Sequence, residues 1–156
     1  MNYLQSILAY FCLHYPHAGE LSKARVTKLI YLADWFSALL RNRQMTNIHW
    51  VFNHYGPYVD DVIESIRYRD DFELVRLDNM FGAAKEVVSF RGDPRSINLN
   101  PDDEEILDWI INKTRSMYFN EFIDYVYSTY PVASNERYSS FDLVDLAQEY
   151  RRSMHQ

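Results

Sequence analysis

A chain of 156 residues, 47% hydrophobic and 24% charged, has the length of one domain, and folding at that size buries about 70% of the surface an unfolded chain exposes. Its formal net charge of −6 disfavours tight nucleic-acid binding, which draws on clustered Lys and Arg. The single cysteine, Cys12, excludes an internal disulfide and a zinc site built from several thiolates.

The basic residues form only small pairs, Arg41/Arg43, Arg67/Arg69 and Arg151/Arg152, each near the end of a predicted helix, where a cation complements the negative end of the dipole. The near-apolar run from Leu29 to Leu40 is interrupted by Asp34 and is too short to span a bilayer. No basic n-region precedes an apolar run, so no secretory signal is expected. The expected location is cytoplasmic, without membrane association. Thirteen Tyr and nine Phe exceed what the apolar stripes use, and tyrosine joins contact area to a hydroxyl that tolerates water, a composition compatible with a recognition surface.

In chain order, Leu4, Ile7, Leu8, Phe11 and Tyr15 recur at helical spacing, with Asn2 and Gln5 as cap and third-position partner. Cys12 lies beside Phe11 on that apolar face, where a thiol fills the core. Pro16 ends this helix, and Ser22 is placed to cap a second one running to about Arg41, apolar around most of its circumference and therefore central. Gln44 to Asn47 reads as a turn and Ile48 to Asn53 as a short strand. Gly56 breaks it, and Pro57 fits the first position of a third helix carrying Val59, Val62, Ile63 and Ile66.

Phe72 to Leu77 and Glu86 to Arg91 read as two strands around a loop containing Gly82, a hairpin or edge sheet that the Trp50 segment would extend. Asn100, Pro101, Asp102 and Asp103 supply the cap, first-turn proline and first-turn acids of a helix bearing Ile106, Trp109 and Ile110. A further helix bears Phe119, Phe122, Ile123 and Val126, and a last one follows Ser139 with Leu143, Leu146, Ala147 and Tyr150. The expectation is a mainly α, compact multi-helix domain over residues 1–156 with a small β-hairpin or short edge sheet, at most three or four short strands confined to residues 48–53 and 72–91.

Two segments carry a resemblance. Lys28-Leu29-Ile30-Tyr31-Leu32-Ala33-Asp34-Trp35 is followed about twenty residues on by Trp50-Val51-Phe52-Asn53-His54-Tyr55-Gly56-Pro57-Tyr58-Val59. Together, in this order, they resemble the paired signature of the Panacea domain, the SocA-like antitoxin domain. Beyond them the likeness is diffuse, with Thr129-Tyr130-Pro131 standing where members often have a short Pro-containing stop. The resemblance implies an antitoxin that neutralises a cognate protein toxin encoded by a neighbouring gene, often in a prophage or other mobile element, by forming an inactive complex. Toxins paired with this domain are chemically diverse, including nucleotide-modifying synthetases related to stringent-response enzymes. Two features depart from the pattern: Tyr58 follows the Gly-Pro where a smaller apolar residue is frequent, and no added helix-turn-helix segment is evident.

The residues offer a physical reason for the signature as well. Glycine accepts positive φ and proline fixes its own, so Gly56-Pro57 sets the angle between the Trp50 strand and the third helix. Tyr31 and Trp35, four apart on one helix face, suit either an aromatic floor beneath the Tyr55 to Tyr58 turn or plain core packing.

Catalytic alternatives are thinner. His49 and His54 with Asp60 or Asp61 are the strongest candidate ligand set for a small metal-dependent hydrolase, but a spacing of five on an extended segment puts the two imidazoles on opposite faces. No His-Glu-x-x-His pattern, nucleophile elbow or glycine-rich phosphate loop is present. The expectation is therefore no catalytic residue, metal or cofactor. An adaptor that delivers a bound partner to a protease is a further alternative. The predicted partner contact comprises Trp35, Tyr55, Tyr58, Asp60 and Asp61, aromatic anchors beside an acidic helix start that would complement a basic toxin surface.

Overall fold

The computed structural model describes residues 1–78 and 80–155. Its centre is α2 (Lys23–Arg41), whose buried residues run almost without interruption from Arg25 to Ala38. Ser22 caps it by accepting from the Arg25 amide at 3.2 Å, and the helix closes on Asn42, a left-handed residue of the kind that can adopt this conformation at modest cost. A helix buried all round must be wrapped. Around it lie α1 (Tyr3–His14), α4 (Pro101–Thr114), α5 (Phe119–Ser128) and α7 (Leu143–Ser153), with α3 (Asp61–Glu64) and α6 (Tyr130–Ala133) as single turns. The mainly α architecture with short sheets agrees with expectation.

The predicted ends hold where capping chemistry sets them. Asn2 and Gln5 form a reciprocal capping box on α1, which saturates two orphan amides. Pro101 opens α4, with Asp102, Asp103 and Glu104 in its first turn. Cys12 is partly buried against the core, and burial pushes its thiol up to about 12.

The described residues form five strands rather than at most three or four, and the sheets differ from expectation in three further ways. Pro57 does not start a helix: Gly56–Tyr58 is strand β2, antiparallel to β1 (Trp50–Asn53) with Pro57 opposite Phe52, and α3 begins only at Asp61. A proline, lacking an N–H, is tolerated there because β2 is the edge of the sheet β2-β1-β5. The third strand, β5 (Ser140–Phe141), pairs with β1 from about ninety residues away, and Asp142 caps α7. The hairpin β3 (Phe72–Asp78) with β4 (Ala84–Phe90) forms as read, yet it is a separate sheet that the Trp50 segment does not extend. It is fastened to the helices through β4, whose Val88 amide donates to the Leu21 carbonyl at 2.8 Å, while β3 buries only Phe72.

Two buried polar groups bind the elements together. Asp34 on α2 accepts from Trp50 Nε1 at 2.8 Å and from the Thr46 amide at 2.8 Å, and also from Gln44 and the Thr46 hydroxyl. The Arg25 Nη2 donates to the Tyr15 hydroxyl at 2.8 Å and to the carbonyls of Thr114 and Met117 at 3.1 and 3.0 Å, with its guanidinium 4.5 Å from the Phe122 ring centroid. Each joins a central helix to segments distant in sequence, so each selects one packing of the helices.

Candidate functional site

The β1–β2 turn exposes its tip to solvent. Asn53 and Gly56 face one another across it, leaving His54 and Tyr55 as the two residues of the tip. Gly56 holds φ at +101°, a conformation in which any other residue is strained. Tyr55 is 77% exposed and Tyr138, arriving from the segment before β5, is 70% exposed. His54 lies between them, its ring centroid 4.6 Å from that of Tyr55 and its Nδ1 3.4 Å from the Tyr138 hydroxyl. Arg137 donates from Nε to the His54 carbonyl at 3.1 Å, which ties the two segments. Three rings are thus held together on the surface by groups that are already ordered, the arrangement that lets an aromatic anchor bind with little further entropy loss.

The five predicted contact residues do not form one patch. Tyr55 is at the tip. Tyr58 stands at the far end of β2, half-buried, and donates to Asp60 at 3.0 Å; burial and the neighbouring Asp60 carboxylate raise its phenol above the usual range. Asp60 and Asp61 are exposed at the start of α3, and Asp61 lines the rim of a cavity of about 690 Å³ whose walls include Tyr3, Arg41, Gln44 and Asp103. Trp35 is set apart from all of these. At 3% exposure it belongs to the core and stacks edge-on against Tyr150 of α7, so it has no surface to offer a partner. The aromatic floor beneath the turn is Phe52 with Tyr127, 6.1 Å apart, whereas Tyr31 packs on Trp50 at 5.6 Å.

Tyr138 is the surface residue that sequence reasoning misses. It takes φ of +69°, a local conformation that a tyrosine adopts only under tertiary constraint, and nothing in the Arg137-Tyr138-Ser139 segment signals a return to β1. The candidate metal ligands are not gathered either: among the described residues no group of three or more His, Cys, Asp and Glu could hold an ion. Nor, among the described residues, is any helix long and apolar enough to cross a membrane.

The geometry defines a small helical domain that presents a pre-ordered aromatic tip, with Asp60 and Asp61 exposed separately at the start of α3. A family model described as "Antitoxin SocA-like, Panacea domain" matches residues 26–131, covering most of α2, both hairpins, α4 and α5, and the chain belongs to that antitoxin-like family. No curated protein and no solved structure matches the chain in the same comparisons.

Proposed function

We propose that this protein is the antitoxin of a toxin–antitoxin pair and that it neutralises a cognate protein toxin, encoded by a neighbouring gene, by binding it directly through the β1–β2 tip and the acidic start of α3. Family membership supports the antitoxin role. The observation that carries the binding mode is the His54, Tyr55 and Tyr138 cluster: large aromatic surface left outside the core, yet fixed by contacts within the fold. Tyrosine is the residue type over-represented among interface anchors. Asp60 and Asp61, exposed at the start of α3, add negative charge that steers a basic surface. The cytoplasm is the compartment in which such a pair would act.

Co-expression with the protein of the adjoining reading frame tests this. The neighbour alone should arrest growth, and this protein should restore it and co-purify with it. Tyr55→Ala should abolish rescue while leaving the folded protein intact. A neighbour that is harmless by itself, or whose toxicity this protein does not alter, removes the antitoxin reading; rescue by Tyr55→Ala equal to that by the parent removes the docking face.

A further inference from the structure

The β3–β4 hairpin leaves one row of backbone groups unused. In a strand the amide and carbonyl of one residue point to the same side, and the side alternates from residue to residue. The Val88 amide of β4 donates to the Leu21 carbonyl, so Val88 turns its backbone groups away from β3. Its neighbours Val87 and Ser89 therefore face β3, where the register sets them opposite Val75 and Glu73. Beyond the strands, the Arg91 amide donates to the Asp71 carbonyl at 2.7 Å, which continues the same alternation. Leu74 and Arg76 must then point their amides and carbonyls to the far side of β3. This sheet has only the order β3-β4, and the backbones of Leu74 and Arg76 have no other hydrogen-bond partner among the described residues. Both residues are exposed. The edge strand β2 of the other sheet carries Pro57, which blunts it; β3 has no proline.

We propose that the open edge of β3 receives an extended segment of the protein partner as an added antiparallel strand, hydrogen-bonded to the backbone of Leu74 and Arg76. In strand addition the main chain supplies affinity and the side chains at alternate positions supply selectivity. The inference rests on the reading that this protein binds the product of a neighbouring gene, and adds a contact that the Tyr55 tip does not make. Charge defines the segment. Leu74, Arg76 and Asp78 stand at alternate positions on one face of β3. Arg76 and Asp78 pair only with each other, at 3.6 Å and with both side chains largely exposed, an arrangement that stabilises little in water. Glu73, on the opposite face, is already held by Arg91 at 2.6 Å. The incoming strand matches this edge with a base opposite Asp78, an acid opposite Arg76 and an apolar residue opposite Leu74, in that order along its own chain. A second copy of this chain fits worse. Two-fold antiparallel pairing over the whole of β3 centres on Val75 and sets Arg76 against Leu74 and Asp78 against Phe72, so neither charge meets its opposite, and two chains of net charge −6 repel one another.

The test has two arms. In the first, amide exchange of the full chain is followed by NMR, alone and with the adjoining-gene protein. The Leu74 and Arg76 amides should exchange freely in the isolated protein and slow by about tenfold or more in the complex. No slowing in a complex that has formed overturns the inference, and so does protection that grows with concentration in the isolated protein, which would give the edge to a second copy. In the second arm, affinity for the adjoining-gene protein is measured for variants checked by thermal unfolding. Leu74→Pro deletes one outward amide and leaves the β4 ladder its donors; it should weaken binding by about tenfold or more. Leu74→Ala keeps that amide and should weaken binding less. Equal losses in the two reduce the contact to a side chain and sink strand addition. Should Leu74→Pro fail to fold, the exchange of the parent chain decides. Loss in Tyr55→Ala with none in Leu74→Pro leaves the docking tip standing and sinks the added strand; no complex at all removes the antitoxin reading and this inference with it.

Discussion

Tyr55 and Trp35 have similar chemistry in the sequence and opposite roles in the fold. Truncating Tyr55, which is 77% exposed, removes no core contact, so Tyr55→Ala should leave the melting temperature nearly unchanged while costing about 2 kcal/mol or more of toxin binding, roughly thirtyfold in affinity. Trp35→Ala instead opens the core against Tyr150 and should cost about 3–5 kcal/mol of folding; calorimetry separates the two. Lys28 makes a prediction that depends on pH. Its amine sits near 8 in the folded protein against the usual 10.5, so between those values the unfolded chain binds more protons and stability rises with pH. Lys28→Met, which removes the enclosed charge, should therefore stabilise the protein at pH 7 by roughly 2–3 kcal/mol, and the advantage should shrink as pH approaches 10. Denaturant melts of both proteins from pH 7 to 10 measure this. Above that range the sign reverses, because Tyr3, raised to about 12 by burial and its bond to Asp103, keeps its proton longer folded than unfolded.

Among the elements, α2 and the loop leading to β1 depend on one another through Asp34. Burial raises this carboxyl above the usual range although its donors pull it down. Asp34→Ala would leave Trp50 Nε1 and the Thr46 amide without acceptors, and orphaning buried donors costs about 1–3 kcal/mol each. The variant should lose at least about 3 kcal/mol of stability by that account, and hydrogen exchange should quicken first at residues 44–53. The far end of α2 is secured differently. Arg151 of α7 donates to the Ala38 and Leu39 carbonyls at 3.3 and 2.6 Å, so a residue expected to complement the end of its own helix closes the end of another.

At the scale of the whole molecule, the charge of −6 and the absorption of basic residues into ion pairs, Arg41 with Asp103 and Arg69 with Asp71, leave little to neutralise phosphates. Isolated protein should not shift duplex DNA at nanomolar concentration in physiological salt; a salt-sensitive shift there would contradict this. The Arg25 contacts join α1, α2 and the α4–α5 connection, so unfolding should be one cooperative transition for the helical body. The β3–β4 hairpin, fastened mainly through β4, should exchange its amides faster than the helices that surround α2.

What the sequence determined by itself was set by local chemistry. The Asn2/Gln5 box, the Ser22 cap, the Pro101 start and the apolar periodicities of α1, α2, α4 and α5 act within one or two turns, so their residues carry the information. The paired segments around Tyr31 and Gly56 likewise pointed to the family that the match over residues 26–131 establishes. Tertiary structure decided whatever depends on a partner far along the chain. Pro57 could open a helix or sit within an edge strand, and the strand prevails because β1 lies beside it. Ser140–Phe141 has only two residues of strand and becomes one by meeting Trp50 and Val51. Trp35 and Tyr55 could each have faced solvent or core, since an aromatic suits both, and only the position of α7 buries the first while the turn at Gly56 lifts the second into water.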